Sequence, residues 1–262
     1  MRMSMKTVGA IVLGLSAFLV TGCFDIEQTL TLERNMSGKA GFSMKVDMEP
    51  MVFFMTQMKR EMDGKKGPPT AAEIAEAKKD FLKNGKKETT GDFESDKKQM
   101  QAALPKGVTL LDASVKDEEL KMGVSMLFGF DNPAKLALIK KPKKADDKGG
   151  PPNPADNPFN GFKVVDDGKT ITITTEVQNP MDEAKEATGP PTEKPDPAVQ
   201  KQMEDLFKGF RVAFKITAPF QVLEQNATRK EGNTLIWEYD LKSIEKMKPE
   251  QLKQGIRVKY KK

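Results

Sequence analysis

The chain has 262 residues, a formal net charge of +5, no histidine and a single cysteine. Without imidazole it has no Ser-His-Asp or Cys-His device and no His-ligated zinc or iron site, and one cysteine leaves no intrachain disulfide. Lysines alternate with Asp and Glu along the whole chain, which predicts a solvated mixed-charge surface and no nucleic-acid partner.

Taken in order, the chain begins with Arg2 and Lys6 ahead of an uncharged run from Val8 to Val20 whose only polar member is Ser16. That run suits the core of a signal peptide and falls short of the about 20 apolar residues that a spanning helix needs. Small residues Thr21 and Gly22 lead into Cys23, and the order Val20-Thr21-Gly22-Cys23 resembles the lipobox of bacterial lipoproteins. The resemblance implies cleavage between Gly22 and Cys23, a diacylglycerol on the Cys23 sulfur and an acyl group on the new N-terminus. Two or three such chains, at about 0.8 kcal/mol per buried CH₂, hold a protein firmly to a bilayer. Residue 24 is Phe, not the Asp that retains many such proteins in the inner membrane. The outer membrane, with the domain facing the periplasm, is therefore the implied address. The expected division is a signal peptide over 1–22 and a periplasmic domain over 23–262. No cofactor beyond the covalent lipid and no metal is expected.

Ile26, Leu30 and Leu32 alternate with polar residues, and the alternation resumes after Asn35-Met36-Ser37-Gly38 as Ala40, Phe42, Met44, Val46 and Met48. Period-two patterning on both sides of such a turn predicts a β-hairpin with one buried face. The first strand then starts almost at Cys23, so the domain is expected close to the membrane. Pro50 opens a helix on which Met48, Met51, Met55, Met58 and Met62 form one stripe, broadened by Val52, Phe53 and Phe54. The stripe has three readings: filling of an irregular core, a pliable surface for an amphiphile or partner, and a thioether Cu(I) site. Met51, Phe54, Met55 and Met58, with Trp237, are the candidate ligand-lining residues.

Residues 64–70 read as a mobile loop, and Thr70-Ala71-Ala72-Glu73 as a capping box opening a helix through Phe81 and Leu82. A further helix is expected from about Asp92 to Leu104. A second hairpin follows, with Val108, Leu110, Ala113 and Val115 on one strand, Met122, Val124, Met126 and Phe128 on the next, and an uneven register. Asn132-Pro133 caps a short helix. Residues 140–158 form a second mobile loop whose lysines are read as a solvated charge run. Val164 to Val177 predicts a third hairpin with Asp166-Asp167-Gly168 at its tip, where Asp-Gly is turn chemistry and not a catalytic pair. The third mobile loop spans 179–197. Asp196-Pro197 then caps a helix through Phe207, and strands follow around Val212–Ile216, Val222, Leu235–Tyr239 and Ile256–Tyr260, with a short helix over 249–254. The sequon Asn226-Ala227-Thr228 is read as chance.

Three segments together resemble the LppM-like lipoproteins of bacterial envelopes. They are Cys23 with its hairpin and Ser37-Gly38 turn, Pro219-Phe220 with Asn226-Ala227, and Gly232-Asn233-Thr234 leading to Trp237-Glu238-Tyr239-Asp240-Leu241. The resemblance implies a strongly bent sheet closed by the strand that carries the tryptophan, and a non-enzymatic domain that handles lipid. The family's C-terminal membrane helix has no counterpart here, and the helical stretch from Met48 to Leu104 reads as an insertion. Hairpins with helices between them, without a βαβ rhythm, predict an α+β fold with an antiparallel sheet and helices on one side. No catalytic motif is present, so no enzyme is expected. The leading functional expectation is a membrane-anchored interaction module whose partner is an envelope protein. The alternative is a carrier enclosing an amphiphilic lipid in a Met-rich pocket.

Overall fold

The computed structural model describes residues 23–65, 67–89, 93–139, 158–175, 209–247 and 255–262. The expected signal peptide, most of the loops over 140–158 and 179–197, the helix after Asp196 and the turn over 249–254 lie outside the described residues. The fold is α+β. Strands β1 (Cys23–Leu32) and β2 (Gly38–Asp47) form the first hairpin. Helices α1 (Glu49–Met62), α2 (Ala71–Thr89) and α3 (Phe93–Ala103) follow, then β3 (Val108–Glu118) and β4 (Lys121–Phe130). A 3-10 helix (Pro133–Leu138) precedes β5 (Phe162–Asp166) and β6 (Thr170–Thr175). The chain ends through β7 (Arg211–Thr217), β8 (Gln221–Gln225), β9 (Arg229–Glu231), β10 (Thr234–Asp240), α4 (Leu241–Lys246) and β11 (Arg257–Lys261).

Two sheets result. One has seven strands in the order β3-β4-β2-β1-β7-β10-β9, and the other four in the order β5-β6-β11-β8. The single, strongly bent antiparallel sheet expected from the sequence is corrected on two counts. A second sheet supplies the opposing layer, so neither sheet is strongly curled. β7 also runs parallel to β1, with Asp25 facing Arg211 and Thr31 facing Thr217, which makes the larger sheet mixed. A parallel neighbour requires a long return connection, and about 180 residues of chain separate these two strands.

The three expected hairpins form. β1 and β2 pair without interruption from Cys23–Asp47 to Leu32–Gly38. Met36 holds the turn at a left-handed φ of 69°, and the side chain of Asn35 accepts from the Ser37 N–H at 3.0 Å. The uneven register foreseen in the second hairpin is a bulge between Leu110 and Asp112. At the third, Asp166 accepts from the Gly168 N–H and Asp167 from those of Lys169 and Thr170. The two carboxylates build the turn. α4 and β9 were not foreseen, although Asp240 and Ser243 make a reciprocal cap for α4.

The core lies between the sheets. Phe42, Phe128, Leu30 and Ile216 of the larger sheet meet Ile171, Ile173, Val258 and Tyr260 of the smaller, all fully buried. Each such side chain contributes about 1.5–3 kcal/mol on leaving water. Phe214 bridges the layers, packing on Phe162 and edge-on against Trp237, with both centroid separations 6.3 Å. Phe93 and Met100 of α3 lie against the same core. No helix among the described residues is long and apolar enough to cross a membrane.

Candidate functional site

Alternation along the strands sends Ala40, Phe42 and Val46 of β2 inward and Ser43, Lys45 and Asp47 to the outer face. Register then assembles that outer face in rows. Ser43 faces Ser125, which faces Ser114; Lys45 faces Gly123, which faces Lys116; Asp47 faces Lys121, which faces Glu118. The middle of the array is small and its rim is long. The result is a groove of about 510 Å³, also lined by Met44, Val46, Met122 and Val124 and completed by Asp25 of β1 and by Gly209 at the entry to β7. Its floor is held by the Ser114 and Ser125 hydroxyls, 2.8 Å apart. Gly123 adds no side chain at the centre, where a Cβ would make an ordinary contact with that of Lys116 at 3.7 Å. Lys45 and Lys116 make no ion pair among the described residues. The groove thus offers ammonium and hydroxyl donors over a shallow floor, with Asp47 and Glu118 at one end.

Beside it, Arg211 organises the charge. Its Nη1 donates to Asp25 at 2.8 Å, its Nη2 to Glu27 at 3.0 Å and its Nε to Glu238 at 3.1 Å. Lys215 adds a bond to Glu27 at 2.9 Å. Burial alone would lower the Arg211 pKa, but the three carboxylates outweigh it and hold the guanidinium above its ordinary value. For Glu27, burial is likewise outweighed by hydrogen bonds from Lys215 and Arg211, and its carboxyl stays below the usual range. The cluster ties β1, β7 and β10 across the outer face.

The five residues expected to line a ligand pocket do not line this groove. Trp237 is fully buried in β10, and its Nε1 donates to Asn226 at 2.8 Å. Asn226 also accepts from the Arg257 N–H and donates to the Gly255 carbonyl, both at 2.8 Å. The chance sequon is therefore a clasp joining the edges of the two sheets. Met51, Phe54 and Met58 are half-buried and Met55 is 51% exposed, whereas the residues that α1 buries fully are Val52 and Thr56. Cys23 opens β1 with its Cα opposite Asp47 at the mouth of the groove; Gly22 lies outside the described residues. Sequence reasoning missed Arg211 and the groove lysines. Alternation alone marked them as outward, but strand order brings them together.

These features define a two-sheet α+β domain with an open groove, rimmed by charged side chains, on one outer face at the end where its first strand begins. Among solved structures, the chain is similar to the folded domain of the Mycobacterium tuberculosis protein LppM, determined by NMR, at 9% identity over 92% of this chain and 90% of that one, with a TM-score of 0.40. The sequence motifs set out above resemble the same family. No family model and no curated protein matches the chain.

Proposed function

We propose that the chain is an envelope lipoprotein, tethered through acyl chains on Cys23, whose domain is an interaction module with no catalytic step of its own. The observation that carries the choice of module over carrier is the placement of Trp237. A carrier of the kind considered needs an enclosed apolar cavity lined by Trp237 and the methionine helix, of at least ~300 Å³. Trp237 instead has no exposed surface and packs against Phe214 in the core. The groove on the outer face is open and carries lysines and carboxylates along its rim, and neither Trp237 nor the methionine helix lines it.

The outer membrane, with the domain in the periplasm, is the address this reading adopts from the lipobox and Phe24. The partner is an envelope protein presenting carboxylates or hydroxyls to Lys45, Lys116 and Lys121. Organic extraction of the purified domain beginning at residue 24 separates the two functions. The module reading expects no stoichiometric lipid; about one acyl lipid per chain would move the assignment to the carrier.

A further inference from the structure

The Cα of Cys23 is the register partner of that of Asp47, the last residue of β2, and α1 begins two residues later at Glu49. Cα partners in an antiparallel pair are about 4.5–5.5 Å apart. The Met48 N–H donates to the Leu120 carbonyl at 2.8 Å, which fixes the start of α1 to the β3–β4 turn. Val46, Leu120 and Val52 are buried at this end of the sheet. α1 is thus rooted at the position from which the acyl chains would leave.

α1 has two unlike flanks. On one, Arg60 pairs with Glu73 at 2.5 Å and Glu49 pairs with Lys78, which fastens α2. At about 100° per residue, Met51, Met55, Met58 and Met62 fall within an arc of about 60° on the opposite flank. Met55 is 51% and Met62 71% exposed, although both are large and apolar. Lys59, exposed beside them, has the long stem and charged tip of a side chain that settles at a membrane–water boundary.

We propose that this methionine flank lies in the plane of the bilayer that holds the acyl chains of Cys23, with Met51, Met55, Met58 and Met62 at the boundary of head groups and hydrocarbon. The proposal rests on the reading of Cys23 as the lipidated residue. β1 is already paired with β2 at residue 23, so no slack separates anchor and domain, and the end of the molecule that carries α1 is drawn against the bilayer. An exposed apolar flank at that place is covered by lipid, and the helix takes the monotopic, in-plane arrangement of an amphipathic surface helix. The single tether then becomes a tether with a second contact, which fixes how the groove is presented.

Acylated full-length protein has no free thiol, so a cysteine introduced elsewhere becomes its one reactive sulfur. Met55→Cys and Met62→Cys are compared with Leu111→Cys and Val165→Cys, which replace residues 50% and 63% exposed. Each is labelled with a charged, membrane-impermeant maleimide, in detergent and in vesicles of phosphatidylethanolamine and phosphatidylglycerol, and intact mass reports acylation in the same samples. We expect the two α1 positions to react at least about fivefold more slowly in vesicles, relative to the two controls. An acylated protein in which all four positions slow alike overturns the docking and leaves the lipoprotein reading standing. A free Cys23 thiol overturns both.

Discussion

Replacing Arg211 with methionine keeps most of the side-chain volume and removes the charge that three carboxylates share. Each lost pair is partly exposed, with Arg211 at 30% and its partners between 28% and 36%. A pair of that kind contributes about 0.5–1 kcal/mol, so three give about 2 kcal/mol. The carboxylates then face one another. Asp25, Glu27 and Glu238 each accept from a different nitrogen of the same guanidinium, at 2.8, 3.0 and 3.1 Å, which keeps them within about 8 Å of each other. Like charges there repel by at least about 0.5 kcal/mol per pair at the dielectric of water and more in a drier setting. Arg211→Met is expected to cost about 2–4 kcal/mol near pH 7, read as a shift of the urea midpoint. The pH dependence carries the sharper sign. The folded pKa of Glu27 is lowered from 4.5, so its contribution is complete above about that pH and is lost as pH falls through the folded value. The wild type loses the Glu27 contribution on acidification, so the difference between wild type and variant should shrink as pH falls through the folded pKa of Glu27, which lies below 4.5. A difference below about 0.5 kcal/mol near pH 7, or one that does not change with pH, refutes the reasoning.

Four further outcomes follow from the same structure. Trp237→Phe removes the bond to Asn226 and part of a buried ring, and should destabilise by about 2–3 kcal/mol in urea unfolding; a loss under 1 kcal/mol would mean that the clasp is not built through the indole. The buried Tyr260 hydroxyl has no hydrogen-bond partner among the described residues, so Tyr260→Phe should be neutral or stabilise by up to about 1 kcal/mol, and a loss beyond about 1 kcal/mol contradicts it. Gly38→Ala places a Cβ 1.9 Å from the Thr31 carbonyl oxygen; it should lower the melting temperature by several degrees or more, at about 2–4 °C per kcal/mol in a domain of this size, and an unchanged melting curve rules the close approach out. Glu73, held at a pKa of about 2 by hydrogen bonds from Thr70 and Arg60, should keep the α1–α2 clamp charged well below pH 4, with amide exchange at the start of α2 rising only in stronger acid.

The hairpins were legible because their signals are local. Alternation placed Phe42 and Phe128 inward, and Asp166-Asp167-Gly168 named its own turn. The cap Thr70–Glu73 was equally local, and Thr70 and Glu73 do bond reciprocally, at 2.9 and 3.3 Å. What failed was non-local. Nothing in the sequence around Arg211 tells that it pairs with a strand that begins 188 positions earlier, and so neither the parallel pair nor the carboxylate cluster could be read. Strand order likewise built the groove from Ser43, Ser114 and Ser125, which separately look like ordinary outward serines. Trp237 was expected to line an apolar pocket with the methionine helix, whereas it lies in the core with its indole N–H donated to Asn226. The methionine periodicity was sound, but periodicity names a stripe without saying what faces it. Burial went instead to Val52 and Thr56.

The central claim, that acyl chains on Cys23 hold this domain against its membrane, is tested most directly by intact and peptide mass spectrometry of the protein extracted from native envelope membranes. The account predicts a mature chain beginning at Cys23 that carries a diacylglyceryl thioether and an N-acyl group. A chain that retains residues 1–22, or begins at Cys23 with a free thiol, contradicts it.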